Sequence, residues 1–190
     1  MFIMGVPFKA GLLTFGDEMQ ELIIGCGKKR DKKILSSNDN YEYENPTTLD
    51  INPDVKPDII HDMEIIPLPF DDYEFEEIHA YSILEHIGQQ GDYRFFFNQF
   101  TDFWRILKPD GKFYAIVPSY DSVWAWGDPS HKRMINPGTL VFLSQDEYKK
   151  QIDNGNTAMT DFRYIYKADF KVIYCEQVGG NLHFILKAIK

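Results

Sequence analysis

The chain has 190 residues, with 20 Lys and Arg against 29 Asp and Glu, and a net charge of −9. That length suits one domain, and 44% hydrophobic with 26% charged residues excludes a disordered or fibrous chain. An acidic chain with a pI of about 5.0 repels phosphate backbones, which disfavours broad nucleic-acid binding.

The 2 cysteines, Cys26 and Cys175, are too few for a disulfide framework or a four-cysteine zinc site. They point to a reducing compartment, by default the cytoplasm. Met1 to Phe15 is apolar, but no basic region precedes an apolar stretch and Lys9 interrupts it. No small-residue cleavage site follows, so residues 1–20 read as an N-terminal extension. No run of about 18 apolar residues occurs, and no membrane span is expected.

Glu21 to Gly25 is a short apolar run ending in glycine and predicts a buried strand, with Gly25-Cys26-Gly27 as a tight turn. Lys28 to Asn45 is mostly polar and shows no stripe of helical period. Strands are predicted at Thr47 to Ile51, Pro57 to His61 and Glu77 to Tyr81. Asn52 to Lys56 is too short for an ordinary parallel crossover, so one of these strands is expected to be short or not consecutive in the sheet. Gly91 to Leu107 predicts a helix with a broad aromatic face, broken by Lys108-Pro-Asp-Gly111. Lys112 to Val117 predicts a fifth strand. A loop over residues 118–138 follows, and Thr139 to Ile152 suggests another helix. Phe170 to Tyr174 and His183 to Lys187 predict a strand pair joined through Gly179-Gly-Asn181. The order argues for a single-domain, Rossmann-like α/β three-layer sandwich, mostly parallel, with an antiparallel C-terminal strand.

Ligands of open parallel sheets bind beyond the carboxyl ends of the strands. Four features fall there: Gly25 to Gly27, Asp50, Asp62 with Met63, and Tyr81. Asp50 lies 23 residues after Gly27 and can accept from two vicinal ribose hydroxyls. Taken singly, the glycine turn is equally a plain tight turn and Asp50 a cap; together they predict a nucleoside site.

The stretches Glu21 to Gly27, Thr48 to Pro53, His61 to Phe70, Ser82 to Ile87 (Ser-Ile-Leu-Glu-His-Ile) and Phe103 to Lys112 resemble, in order, the motif series of class I S-adenosylmethionine-dependent methyltransferases. The similarity is to a small subgroup with a GCG turn, LPF and LEH motifs and a shortened first crossover. It implies S-adenosylmethionine as cofactor. Gly25, Cys26 and Gly27 would pass under the methionine portion, Asp50 with Ile51 would hold the ribose, Asp62 and Met63 would meet the adenine, and Tyr81 would lie near the sulfonium. Two positions depart from the pattern. Ile23 stands where an acidic residue is usual, and Lys29 replaces a third glycine.

The expected reaction moves a methyl to an oxygen or nitrogen nucleophile of a small-molecule or protein acceptor. The rival readings are an inactive nucleoside- or partner-binding module and a nicotinamide oxidoreductase, the latter disfavoured by the missing third glycine. On the acceptor side, the loop from Trp124 to Arg133 supplies His131 as the candidate acid-base residue, with Asp128 beside it and His86 as competitor. Trp124 and Trp126 are expected to wall the pocket. Glu85-His86 is equally readable as a structural pair. Glu85, His86 and His131 could ligate a cation, but spacing does not place a third ligand beside the Glu85-His86 pair, so no metal is expected. Lys28 to Lys33 reads as a solvated loop or a contact for an anion, and Cys26 as a small packed residue.

Overall fold

In the computed structural model, residues 19–34, 42–43 and 46–190 are described; residues 1–18 of the expected N-terminal extension lie outside them. Seven strands form one sheet: β1 (Glu21–Ile24), β2 (Pro46–Asp50), β3 (Ile59–Ile60), β4 (Phe75–Tyr81), β5 (Leu107–Pro118), β6 (Phe170–Val178) and β7 (Asn181–Ala188). Their spatial order is β3-β2-β1-β4-β5-β7-β6. The first five are parallel, and β7 runs antiparallel between β5 and β6. The expected mostly parallel α/β architecture and antiparallel last strand are both present.

β3 has only 2 residues, which resolves the short-crossover problem: Pro53–Val55 makes a single 3-10 turn between β2 and a vestigial neighbour. Val178 pairs with Asn181 across Gly179 and Gly180, whose φ values of 57° and 82° suit a two-residue hairpin turn. Asp92 caps α1 (Tyr93–Ile106) by accepting from the Phe95 amide at 3.0 Å. The helix packs Phe97, Phe100, Phe103 and Ile106 onto Ile78, Phe113, Ala115 and Phe184 of the sheet.

Two expectations differ in detail. The Lys108-Pro-Asp-Gly111 break does not delay the fifth strand: β5 begins at Leu107, and these residues loop out between the Phe75–Leu107 and Glu77–Lys112 pairs, with Asp110 at φ 63°. The helix expected over Thr139 to Ile152 is split into α3 (Pro137–Val141), α4 (Gln145–Tyr148) and a π turn (Lys149–Asp153). Ser144 causes the split. It is extended, and its hydroxyl accepts from the Glu147 amide at 3.3 Å, restarting the helix as a new cap.

The two faces of the sheet are unlike. Strand alternation puts Leu22, Ile24, Ile78 and Ala80 into the main core, and Glu21, Glu77, His79 and Tyr81 on the opposite face. There the covering chain is neither helix nor strand over residues 28–34. Ile34 packs on Tyr114, Ile116 and Ile185. Lys32, its side chain 2% exposed, pairs with Glu21 and with Glu77 at 3.1 Å. His79 stacks on Tyr114 with ring centroids 4.7 Å apart.

Candidate functional site

The carboxyl ends of β1, β2 and β4 converge on Gly25. This residue has φ +59°, and a Cβ built on it would lie 2.5 Å from Ile83 Cγ1, so glycine alone fits the contact between the first turn and the exit of β4. The turn is tied to the end of β2 at two points. Cys26 N donates to the Leu49 carbonyl at 3.2 Å, and Gly27 N donates to Asp50 Oδ2 at 2.9 Å. Asp50 Oδ1 accepts from the Asn52 amide at 2.9 Å. Each oxygen spends one acceptor site on backbone, leaving further lone pairs for a ligand.

Two hollows meet at Gly25. One, about 200 Å³, is lined by Asp50, Ile51, Asp62, Met63, Glu64, Ile83, His86, Ile87 and Lys132. The other, about 270 Å³, is lined by Cys26, Gly27, Lys28, Lys29, Lys33 and Tyr81. Together they reach the size of an ordinary small-molecule site, roughly 300–1,000 Å³. A separate hollow of about 580 Å³ beside α3, α4 and β6 contains none of the expected site residues.

All eight expected cofactor residues line this double cleft. Asp62 Oδ1 accepts from the Glu64 amide at 2.9 Å, which fixes the turn after β3. Met63 is 6% exposed and belongs mainly to the core. Ile51 is 63% exposed beside Asp50, an apolar side chain at the cleft mouth. Cys26 is packed, and burial raises its thiol pKa. Tyr81 has less freedom than the sequence suggested. Its hydroxyl meets His79 Nδ1 at 2.8 Å, and the Lys33 ammonium lies 5.3 Å from its ring centroid. Burial pushes the phenol up to about 12. Ile23 is buried in the sheet, so no carboxylate stands at that position.

On the acceptor side the structure separates the two histidines. His86 lines the cleft; His131 does not. The His131 side chain is 6% exposed and packs edge-on behind His86, with centroids 4.7 Å apart. Its Nδ1 faces the Ala125 carbonyl at 3.3 Å, and its Nε2 is 3.9 Å from Asp128 Oδ2. Asp128 accepts from the Ser130 amide and hydroxyl at 2.8 and 2.6 Å, and these bonds hold its carboxyl below the usual range. Trp124 and Trp126, in α2 (Trp124–Gly127), are 66% and 59% exposed and line neither hollow.

Glu64 and Lys132 were not singled out from the sequence as site residues, whereas Glu85 was, as a base, metal or structural pair with His86. Glu64 accepts from Lys132 Nζ at 2.7 Å and from the Gly88 amide at 3.0 Å, bridging the β3 turn to the residue 132 strap. Lys132 N in turn donates to the Glu85 carbonyl at 2.8 Å. Glu85 itself is 3% exposed, and burial pushes its carboxyl up to about 7. Glu64 lies two residues beyond Asp62, so the His61-Asp-Met-Glu64 stretch carried that signal.

No protein-family model matches the sequence, and neither does any curated protein. Solved structures match over most of the chain. A SAM-dependent methyltransferase from Archaeoglobus fulgidus superposes with a TM-score of 0.57 at 16% identity, covering 89% of this chain and 86% of that one. The Bradyrhizobium japonicum N-methyltransferase NodS, in complex with S-adenosyl-L-homocysteine, gives 0.54 at 13% identity, covering 90% and 79%. A chain in the complex between the Haloferax volcanii Trm112 methyltransferase activator and its proposed methyltransferase also gives 0.54 at 13% identity, covering 92% and 84%. The fold is that of SAM-dependent methyltransferases. At these identities the likeness is one of architecture, and the chemistry rests on the side chains.

Proposed function

We propose that the chain binds S-adenosylmethionine in the double cleft around Gly25 and transfers its methyl to an oxygen or nitrogen nucleophile. The observation that carries this reading is the Asp50 carboxylate, clamped to the Gly27 amide at 2.9 Å where β1 and β2 end. That position presents acceptor oxygens to a ribose beside a backbone that only glycine allows to come close. Asp62 and Met63 line the Asp50 hollow, where the adenine would lie, and Gly25 to Gly27 with Tyr81 line the second hollow, where the methionine portion would lie. Lys28, Lys29 and Lys33 give that second hollow a cationic lining suited to the cofactor's carboxylate.

Methyl transfer from a sulfonium needs positioning and a group that lowers the acceptor's hold on its proton. His86 is the ring that faces the cleft, with His131 and Asp128 behind it. The acceptor is a small molecule or a protein side chain; with a net charge of −9, a nucleic-acid backbone is a poor partner.

A binding module without catalysis is the second reading. It is favoured by Ile23, which leaves the cofactor's ammonium without a carboxylate at that position, and by the Lys33 ammonium over the Tyr81 ring. Thermal shifts with S-adenosylmethionine, S-adenosylhomocysteine, NAD and ATP test the proposal, because stabilisation by a ligand follows mass action. Stabilisation by the first two alone supports it. Stabilisation by NAD or ATP alone refutes it.

A further inference from the structure

We propose that Glu85, His86 and His131 bind a divalent transition-metal ion at the rim of the Gly25–Asp50 cleft. The site's existence is independent of the cofactor; its use, acting on the acceptor, rests on the methyltransferase reading. One ligand atom from each of the three residues lies within 4.8 Å of the others. Coordination at 2.0–2.1 Å requires ligand atoms about 3.3 Å apart in a tetrahedral site, a closure that small side-chain rotations supply.

Glu85 gives the strongest reason to look for a cation. It is 3% exposed, and neither carboxylate oxygen has a hydrogen-bond partner beyond its own residue among the described residues. Buried carboxylates are ordinarily hydrogen-bonded, ion-paired or metal-bound. The other close cluster of this kind among the described residues, Glu21, Glu77 and His79, already has its cation, since Lys32 pairs with both carboxylates.

The two rings are held as metal-binding imidazoles are usually held. The Ser130 hydroxyl donates to Asp128 Oδ1 at 2.6 Å, so it accepts from His86 Nδ1–H at 3.1 Å. The Ala125 carbonyl, a pure acceptor, takes the Nδ1–H of His131 at 3.3 Å. Each ring is then left with its lone pair on Nε2. Asp128 Oδ2 lies 3.9 Å from His131 Nε2, outside the three-residue cluster but on the same ring nitrogen. Two imidazoles and a carboxylate suit zinc or manganese-class ions better than magnesium. Because His86 lines the Asp50 hollow, an ion there would face that hollow and act as a Lewis acid on an oxygen of whatever occupies it, an acceptor oxygen if the acceptor enters from that side.

Calorimetric titration of Zn²⁺ into the metal-stripped full chain, with no cofactor present, tests this. One equivalent should bind with a Kd of roughly micromolar or tighter, Mn²⁺ more weakly and Mg²⁺ at least about 100-fold more weakly. Glu85→Gln and His131→Ala should each weaken Zn²⁺ about 10-fold or more, Ser130→Ala should weaken it measurably, and Glu77→Gln at the other cluster should not. Thermal denaturation establishes that each variant is folded; if Glu85→Gln does not fold, His131→Ala decides alone. Absence of stoichiometric Zn²⁺ binding, or unchanged affinity in folded His131→Ala, overturns the site. S-adenosylhomocysteine binding measured separately in chelator tells this failure apart from failure of the methyltransferase reading.

Discussion

The amide of Gly27 donates to Oδ2 of Asp50 at 2.9 Å, so the end of the second strand holds the turn that leaves the first. Asp50 therefore has two tasks, shaping the turn and presenting acceptors to a ribose. Asp50→Ala should weaken S-adenosylhomocysteine by about 1.5–3 kcal/mol, the range for losing a charge-assisted hydrogen-bonded contact. Asp50→Asn, which keeps one carbonyl acceptor, should lose less. Calorimetry that finds wild-type affinity in Asp50→Ala removes this residue from the site.

A second expectation concerns Gly25 and Ile83. Gly25→Ala adds a methyl 2.5 Å from Ile83 Cγ1 on a backbone with φ +59°. The left-handed conformation costs about 1–2 kcal/mol for alanine and the overlap about 1–3 more. Ile83→Ala should recover the steric part in the double variant but not the backbone part. Chemical denaturation of the four proteins in the cycle measures the coupling; strictly additive effects would show that the two residues do not meet.

The acceptor side gives a third. On the proposed acid-base role, His86→Ala should lower turnover about 100-fold. Because the ring lines the same hollow as Asp50 and Asp62, S-adenosylhomocysteine affinity measured beside it separates a loss of chemistry, with affinity within about a factor of two, from a loss of cofactor binding. His131→Ala should also lower turnover, through loss of the ring that packs behind His86. Full turnover in His86→Ala with loss in His131→Ala would reverse the assignment.

Much of this was legible in the sequence. Short runs ending at Gly25, at Asp50-Ile51 and at Tyr81 marked β1, β2 and β4, and Gly179-Gly180 marked the last hairpin. The eight strand-end residues assigned to the cofactor line one double cleft. What the sequence did not carry was depth. His131 and His86 look equivalent in a row of letters, yet the Ala125 carbonyl draws one inward while the other stays at the cleft. Trp124 and Trp126 look like pocket walls, but their four-residue helix faces solvent. Glu85, a residue buried by the strap over residues 131–133, has no local signature of burial at all.

Acid should destabilise the fold through the far face of the sheet. Burial holds the His79 imidazole below its ordinary range despite Glu77. Burial would raise the Glu77 carboxyl, but the His79 hydrogen bond and Lys32 outweigh it and hold that group low. Both groups bind protons more readily in the unfolded chain, so their contributions are present at high pH and are lost on acidification. The His79 part is complete above about 6.5 and declines below it; the Glu77 part is complete above about 4.5 and declines below that. Loss of overall negative repulsion on acidification opposes this, so the Tm difference between wild type and Glu77→Gln carries the prediction. That difference should shrink as the pH falls below 4.5; a constant difference would contradict it.

The described sheet ends in two very different edges. β3 offers only 2 residues of ladder, too little to template another strand. β6 offers 9, with Ile173 and Val178 exposed at 42% and 44%. Its protection against pairing with a foreign strand is the register shift between Val172 and Tyr174, reinforced by the exposed Lys171 beside it. Protection of this edge is therefore concentrated in one irregularity of the ladder and the charged side chains beside it. A change that straightened β6 would leave the core intact and convert this edge into a surface for aggregation.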